Sequence, residues 1–264
     1  MKNLLRADFY KLYRQKTFKV CLIILAVATL LTVVTMKIPV GEDSDGGKVF
    51  LGDSFGISTA KDVALSVDLT IYLAIWVALM FASEFQNGAL RNAVSSGASR
   101  TQLYLSKSIV ISAAIFGTIL LMMVFKLLLG LICFGMYGGS GAVEIWYFLR
   151  AWLMNGLLTT ALAQCYMFVA TFIRGTGGTL IFCLVVVDLV VSGLGSLLSL
   201  GSLKESTEWL AKISPYLLTT AQSTVAAGIG PSSKECWLYL LTGVFCVGLF
   251  ADLGIFMINK KDLK

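Results

Sequence analysis

No histidine occurs anywhere in this chain of 264 residues. That absence removes Ser-His and Cys-His nucleophile pairs, histidine-ligated metals and histidine proton relays in one step. No catalytic residue and no metal site is therefore expected, and an intramembrane hydrolase is disfavoured. A G-x-x-x-x-G-K-[ST] loop is also missing. The nearest glycine cluster, Arg174-Gly-Thr-Gly-Gly178, lacks the lysine and a flanking strand, so the chain is not expected to bind ATP by itself. Cys21, Cys133, Cys165, Cys183, Cys236 and Cys246 show no C-x-x-C spacing and lie mostly in apolar segments. Buried free thiols are expected rather than a disulfide or zinc framework.

Charge is scarce as well. Only 14% of residues are charged against 57% hydrophobic, and the mean hydropathy is +0.84. A soluble core of this length could not bury so much apolar surface, so the bilayer is the expected solvent. A spanning helix needs about 20 mostly apolar residues. Six segments qualify: Phe18 to Met36, Val63 to Ala82, Ser108 to Gly135, Ile145 to Ile173, Gly178 to Leu200 and Trp237 to Ile258. The third and fourth exceed one crossing, which allows tilt or an interfacial extension over Leu127 to Tyr137. The expected fold class is an all-α polytopic membrane protein with a single transmembrane domain over residues 1–264.

With the amino terminus inside, thirteen Lys and Arg fall on the inner side and seven on the outer, while Lys126 lies within a span. Cytoplasmic flanks are enriched in such residues. Both termini are therefore expected in the cytoplasm of a multi-pass cell-membrane protein, with only Asp8, Glu84 and Asp262 as inner acids. The net charge of +6 then reflects topology, and no nucleic-acid partner is needed to explain it. The first span is too long for a signal peptide and is read as an uncleaved helix.

Residues 2–16 place Leu5, Phe9, Leu12 and Tyr13 along one side of a helix with cations elsewhere, a pattern suited to the cytoplasmic interface. The outer connection 37–62 holds Asp43-Ser-Asp45-Gly46, a faint echo of a calcium loop without its further ligands. It is read as a solvated, flexible turn. The connection 201–236 is too apolar for pure coil and predicts two short outer re-entrant helices broken near Pro215. Ser192, Gly195, Ser196 and Ser199 offer a small-residue seam for internal packing or for a dimer.

Between spans two and three, two residues would suffice to turn the chain. The segment Phe81 to Lys107, FASEFQNGALRNAVSSGASRTQLYLSK, instead alternates Phe85, Leu90, Val94 and Leu103 with Glu84, Arg91, Asn92 and Arg100. Gly88 and Gly97 punctuate it. A short helix over Ala89 to Val94, a stop at Gly97 and a cap at Ser99 are expected. A short amphipathic helix between two spans suits a lever that receives force from a soluble partner.

The wording Phe81-Ala-Ser-Glu-Phe-Gln-Asn-Gly-Ala-Leu-Arg-Asn, then Ser96-Gly-Ala-Ser-Arg and Tyr104-Leu-Ser-Lys107, resembles the corresponding segment of ABC-2 type transporter permeases. The basic amphipathic start, the six spans and the helical last outer loop extend that resemblance over nearly the whole chain. It implies that Glu84, Phe85, Gly88, Arg91, Asn92, Gly97 and Arg100 lie in the coupling region that contacts a nucleotide-binding subunit. Ala89 departs from the threonine common at its position. The resemblance also implies a cytoplasmic ABC ATPase, in two copies, that binds ATP and magnesium. A second permease subunit, identical or homologous, would meet this one around a central path faced by spans two and five.

Ionisable groups at bilayer depth are functional candidates by default. Counting about 1.5 Å per residue, Asp188 lies near the midplane, where it either bonds a neighbouring helix or lines the path. Asp68 and Lys126 lie at compatible depths near the outer end and predict a mutual contact. Asp252 is expected to reach water or Lys260. A secondary transporter or channel using Asp188, Asp252 and Lys126, and a noncatalytic membrane sensor, remain alternatives to an exporter. For an exporter the cargo would be an amphipathic substrate such as an antimicrobial peptide, a lipid or a drug.

Overall fold

The computed structural model describes residues 2–42, 48–54, 59–135, 142–191, 193, 197, 217–226 and 233–260. Five helices among them are long and apolar enough to cross a membrane: Lys16–Thr35, Ala60–Gln86, Arg100–Phe134, Ile145–Ile173 and Cys236–Lys260. They match the first four expected spans and the last, in an all-α polytopic architecture. Of the expected span 178–200, the described part is helix α10 (Thr176–Ile181), continued by π-helical Phe182–Val191. The seam residues Ser192, Gly195, Ser196 and Ser199 lie outside the described residues.

Helix α1 (Lys2–Arg14) is followed after Gln15 by α2 (Lys16–Thr35). In α2 only Cys21, Leu25, Thr29 and Val33 are buried. Their spacing of four keeps them on one stripe, which faces the bundle while Ile23, Ile24, Val27 and Leu31 point outward. The outer connection is more ordered than a plain turn. Strands β1 (Pro39–Glu42) and β2 (Lys48–Phe50) form an antiparallel hairpin, and α3 (Leu51–Ser54) follows. The flanks Pro39–Glu42 and Lys48–Phe50 pair, while residues 43–47, the expected calcium-like stretch, lie outside the described residues.

Span two is broken, which the apolar run conceals. Helix α4 (Ala60–Leu65) starts on a reciprocal cap, in which Thr59 Oγ1 accepts from the Asp62 amide and Asp62 accepts from the Thr59 amide. Residues 66–69 then leave the helix, and α5 (Thr70–Val77) resumes it. Backbone carbonyls freed at bilayer depth must find donors. Lys126 Nζ donates to the Ser66 carbonyl, and Asn155 Nδ2 donates to the Val67 carbonyl at 2.9 Å. The expected contact between Asp68 and Lys126 does not form, because the ammonium is taken by the carbonyl two residues away.

Helix α8 (Arg100–Phe134) has 35 residues, about 52 Å at 1.5 Å each. It runs unbroken through Leu127 to Phe134, so its excess length continues as helix. Helix α9 (Ala142–Ile173) is the hub, packing against α8, α5, α11 (Leu218–Ala226) and α12 (Ser233–Lys260). Helix α11 supplies one of the two helices expected in the last outer connection, and the stretch around Trp209 lies outside the described residues. Small residues permit close approach. A Cβ on Gly130 would stand 2.9 Å from Ala60 Cα, and one on Gly243 would stand 2.8 Å from Leu157 Cγ. The main core gathers Leu69, Leu73, Phe81, Tyr104, Ile119 and Tyr166, with its lower end directly above the polar segment between spans two and three.

Candidate functional site

The polar segment is built from short pieces. After α5 the chain makes a π-helical turn, Ala78–Ala82, then α6 (Ser83–Gln86) and α7 (Ala89–Ser95). Gly88 joins α6 to α7 at φ +67°, in the left-handed region where a side chain is disfavoured. Helix α7 closes on a Schellman motif: the Ala98 amide donates to the Ala93 carbonyl at 3.2 Å, and the Gly97 amide to the Val94 carbonyl at 3.0 Å. Gly97 itself sits at φ +96°. Ser99 then caps α8, its hydroxyl accepting from the Gln102 amide at 3.3 Å. Helix, stop and cap fall where the sequence pattern puts them.

Two faces result. Outward lie Gln86, Asn87, Arg91, Asn92, Ser95 and Ser96, whereas Phe81, Glu84, Leu90, Leu103 and Tyr104 are buried. Inward, the aromatic rings form a column, with Phe85 edge-on to Phe81 at 5.2 Å and Phe81 edge-on to Tyr104 at 5.8 Å. Such pairs add about 0.5–1.5 kcal/mol each beyond their buried area.

Beside the column lies a closed ion cluster. Glu84, 5% exposed, accepts from Lys107 Nζ at 2.7 Å and also from Lys11. Lys107 reaches Asp8 at 3.0 Å, and the Ser106 hydroxyl donates to Asp8 at 2.5 Å. Two carboxylates and two ammoniums therefore satisfy one another while joining α1, the end of span two and the start of span three. Asp8 and Leu12 turn inward on α1, so its inner face is partly ionic. Phe9 and Tyr13, expected on the same side as Leu12, are exposed.

The implied coupling residues thus separate by position. Arg91 and Asn92 are on the surface. Glu84 and Phe85 face the bundle, and Gly88 and Gly97 shape the backbone. Arg100 reaches the end of α12, donating to the carbonyls of Ile258 and Asn259 at 3.4 Å each. A cation over the final carbonyls of a helix suits its dipole. Gln86 accepts from the Thr176 hydroxyl at 3.1 Å, which ties the segment to the first residue of α10. Lys107 closes the motif, whereas Asp8 and Lys11 are members of the site that the motif does not contain.

Among the described residues no hydrogen bond or ion pair joins the intramembrane candidates to one another. Lys126 serves the break in span two, and Asp252 is exposed on α12 with no ion pair among the described residues. Lys260, its expected partner, lies over the Phe256 ring at 5.6 Å instead. Asp188 is in the π-helical stretch, and its side chain lies outside the described residues. Asp68 lies beside Thr70 and Gln222.

Residues 4–190 match the family described as ABC-2 family transporter protein, a match that contains α1 from its third residue on, the ion cluster and the whole of α7. No curated protein matches the chain.

Proposed function

This chain belongs to the ABC-2 transporter family, whose members are membrane components of ABC transporters, and we propose that it is the permease subunit of an ATP-driven exporter. It would work with a cytoplasmic ABC ATPase, in two copies that bind ATP and magnesium, and with a second permease subunit. A single domain over residues 1–264 would cross the membrane six times, residues 178–200 supplying the remaining span, with both termini in the cytoplasm. Short outer helices between the last two spans would complete it, and an amphipathic peptide, lipid or drug would be the cargo.

The supporting observation is the split of the segment into a surface helix and a locked base. Helix α7 offers Arg91 and Asn92 to a partner. Beneath it, Glu84 is ion-paired to Lys107 and Phe81 packs edge-on against Tyr104. A push on α7 is therefore delivered to spans two and three and to α1 together. Rigid elements with fixed contacts are what can carry such coupling.

Arg91→Glu is the direct test of docking. Because the side chain is exposed, stability should be unchanged. Association with the ATPase should weaken about tenfold, as for an interface arginine, measured by co-purification and by ATPase stimulation in proteoliposomes. An unchanged interaction in the double variant Arg91→Glu, Asn92→Asp would remove α7 as the docking element.

The broken span two favours a second reading, since discontinuous helices mark sites in secondary transporters. Substrate accumulation driven by an ion gradient without the ATPase would support that reading instead.

A further inference from the structure

A cavity of about 450 Å³ opens beside the break in span two. Its polar lining comes from Asp68, Thr70, Thr219, Gln222 and Ser223, and Leu162 and Leu184 contribute apolar walls. Pockets of this size take drug-sized ligands, with a few polar groups fixing orientation.

We propose that this cavity binds the positively charged group of an amphipathic organic cation, with Asp68 as the recognition residue. The proposal extends the export reading by naming a substrate class and a site for it. Asp68 Oδ1 is held in place, accepting from the Thr70 amide at 2.9 Å, the Thr70 hydroxyl at 2.6 Å and Gln222 Nε2 at 3.4 Å. Its Oδ2 accepts no hydrogen bond and joins no ion pair among the described residues. The carboxylate is therefore oriented on one edge and open on the other.

Lys126 is the cation with which Asp68 interacts electrostatically, but its ammonium is engaged by the Ser66 carbonyl. A second unused group points the same way. The Thr219 hydroxyl, on a residue only 7% exposed, lines the cavity with no hydrogen-bond partner among the described residues. Buried hydroxyls are ordinarily paired, so a ligand acceptor would complete it. The broken backbone fits as well, since irregular chain at membrane depth is tolerated where it lines a cavity. Leucine walls beside one carboxylate select a molecule that is apolar in bulk and cationic at one point.

Tetraphenylphosphonium and tetraphenylborate have nearly the same shape and opposite charge, and their binding to the purified full-length permease tests the site. The wild type should hold the cation at least about tenfold more tightly than the anion, the equivalent of one charge contact. Asp68→Asn should abolish that preference with an unchanged melting temperature, whereas Asp68→Glu should retain it. Leu184→Trp, which fills the cavity, should weaken the cation and would decide the matter alone if Asp68→Asn failed to fold. Equal binding of the two ions by the wild type, or a preference that survives Asp68→Asn, would overturn the proposal. In proteoliposomes with the ATPase, cation binding without ATP-driven transport would count against the export reading and leave the site standing. ATP-driven transport that ignores Asp68→Asn would do the reverse.

Discussion

Replacing Glu84 by alanine should destabilise the bundle by about 3 kcal/mol, at the lower end of the cost of breaking a buried ion pair. Glu84 is 5% exposed and bonded to two ammoniums. Its loss leaves Lys107, whose side chain is 11% exposed, with Asp8 as its remaining ion-pair partner. Lys11, more than half exposed, can turn to water, which keeps the cost from rising further. A surface glutamate in a solvated loop would cost within about 0.5 kcal/mol. Thermal unfolding of the purified permease separates the two cases. Glu84→Asp, which keeps a carboxylate among Lys11 and Lys107, should retain more of the stability and of the ATPase stimulation than Glu84→Ala. A Glu84→Ala protein as stable as wild type, or one no less stable than Glu84→Asp, would show that the cluster does not hold the lever.

Gly254→Val should have a comparable effect by a different route. Gly254 on α12 faces the Tyr104 ring so closely that a Cβ would overlap its hydroxyl and neighbouring ring carbons. Tyr104 is fully buried and packed edge-on against Phe81, so it cannot yield without disturbing the aromatic column. Overpacking of this kind costs about 1–3 kcal/mol, and the β-branched side chain puts the expected loss at the upper end. Unfolding should report it, and Tyr104→Leu in the same chain should restore part of it, the signature of two residues in contact. Tyr104→Phe alone should be neutral or stabilising, because the hydroxyl removed has no hydrogen-bond partner among the described residues. If Gly254→Val were silent, α12 would not bear on the base of the segment.

Much of this arrangement was legible in the residues. Long apolar runs locate the spans, and Gly97 with Ser99 marks the end of α7 and the start of α8, because a left-handed residue and a hydroxyl cap have local causes. The break at Ser66 to Leu69 was not legible. It contains neither glycine nor proline, and what sustains it is two donors from distant helices, Lys126 and Asn155. Pairing charges by depth sent Lys126 to Asp68, since side-chain charges are visible in a sequence and freed carbonyls are not.

The place of Glu84 shows a related limit. A motif says which residues belong together but not which of them face inward. A signal was nevertheless present: Asp8 and Glu84 are acids in inner segments otherwise dominated by cations, and an isolated acid among cations is a natural partner for a buried lysine. The hairpin at Pro39–Glu42 and Lys48–Phe50 was hidden by the glycine-rich stretch between its strands.

The central claim is that α7 is where a separate ATPase acts on this chain. A photoreactive amino acid placed at Ser95, exposed on the last turn of α7, tests it in native membranes containing both proteins. The account predicts an adduct with the ATPase subunit whose yield changes with ATP, and none from the same probe at buried Leu90, which is 2% exposed. No adduct from Ser95, or the same yield from Leu90, would contradict it.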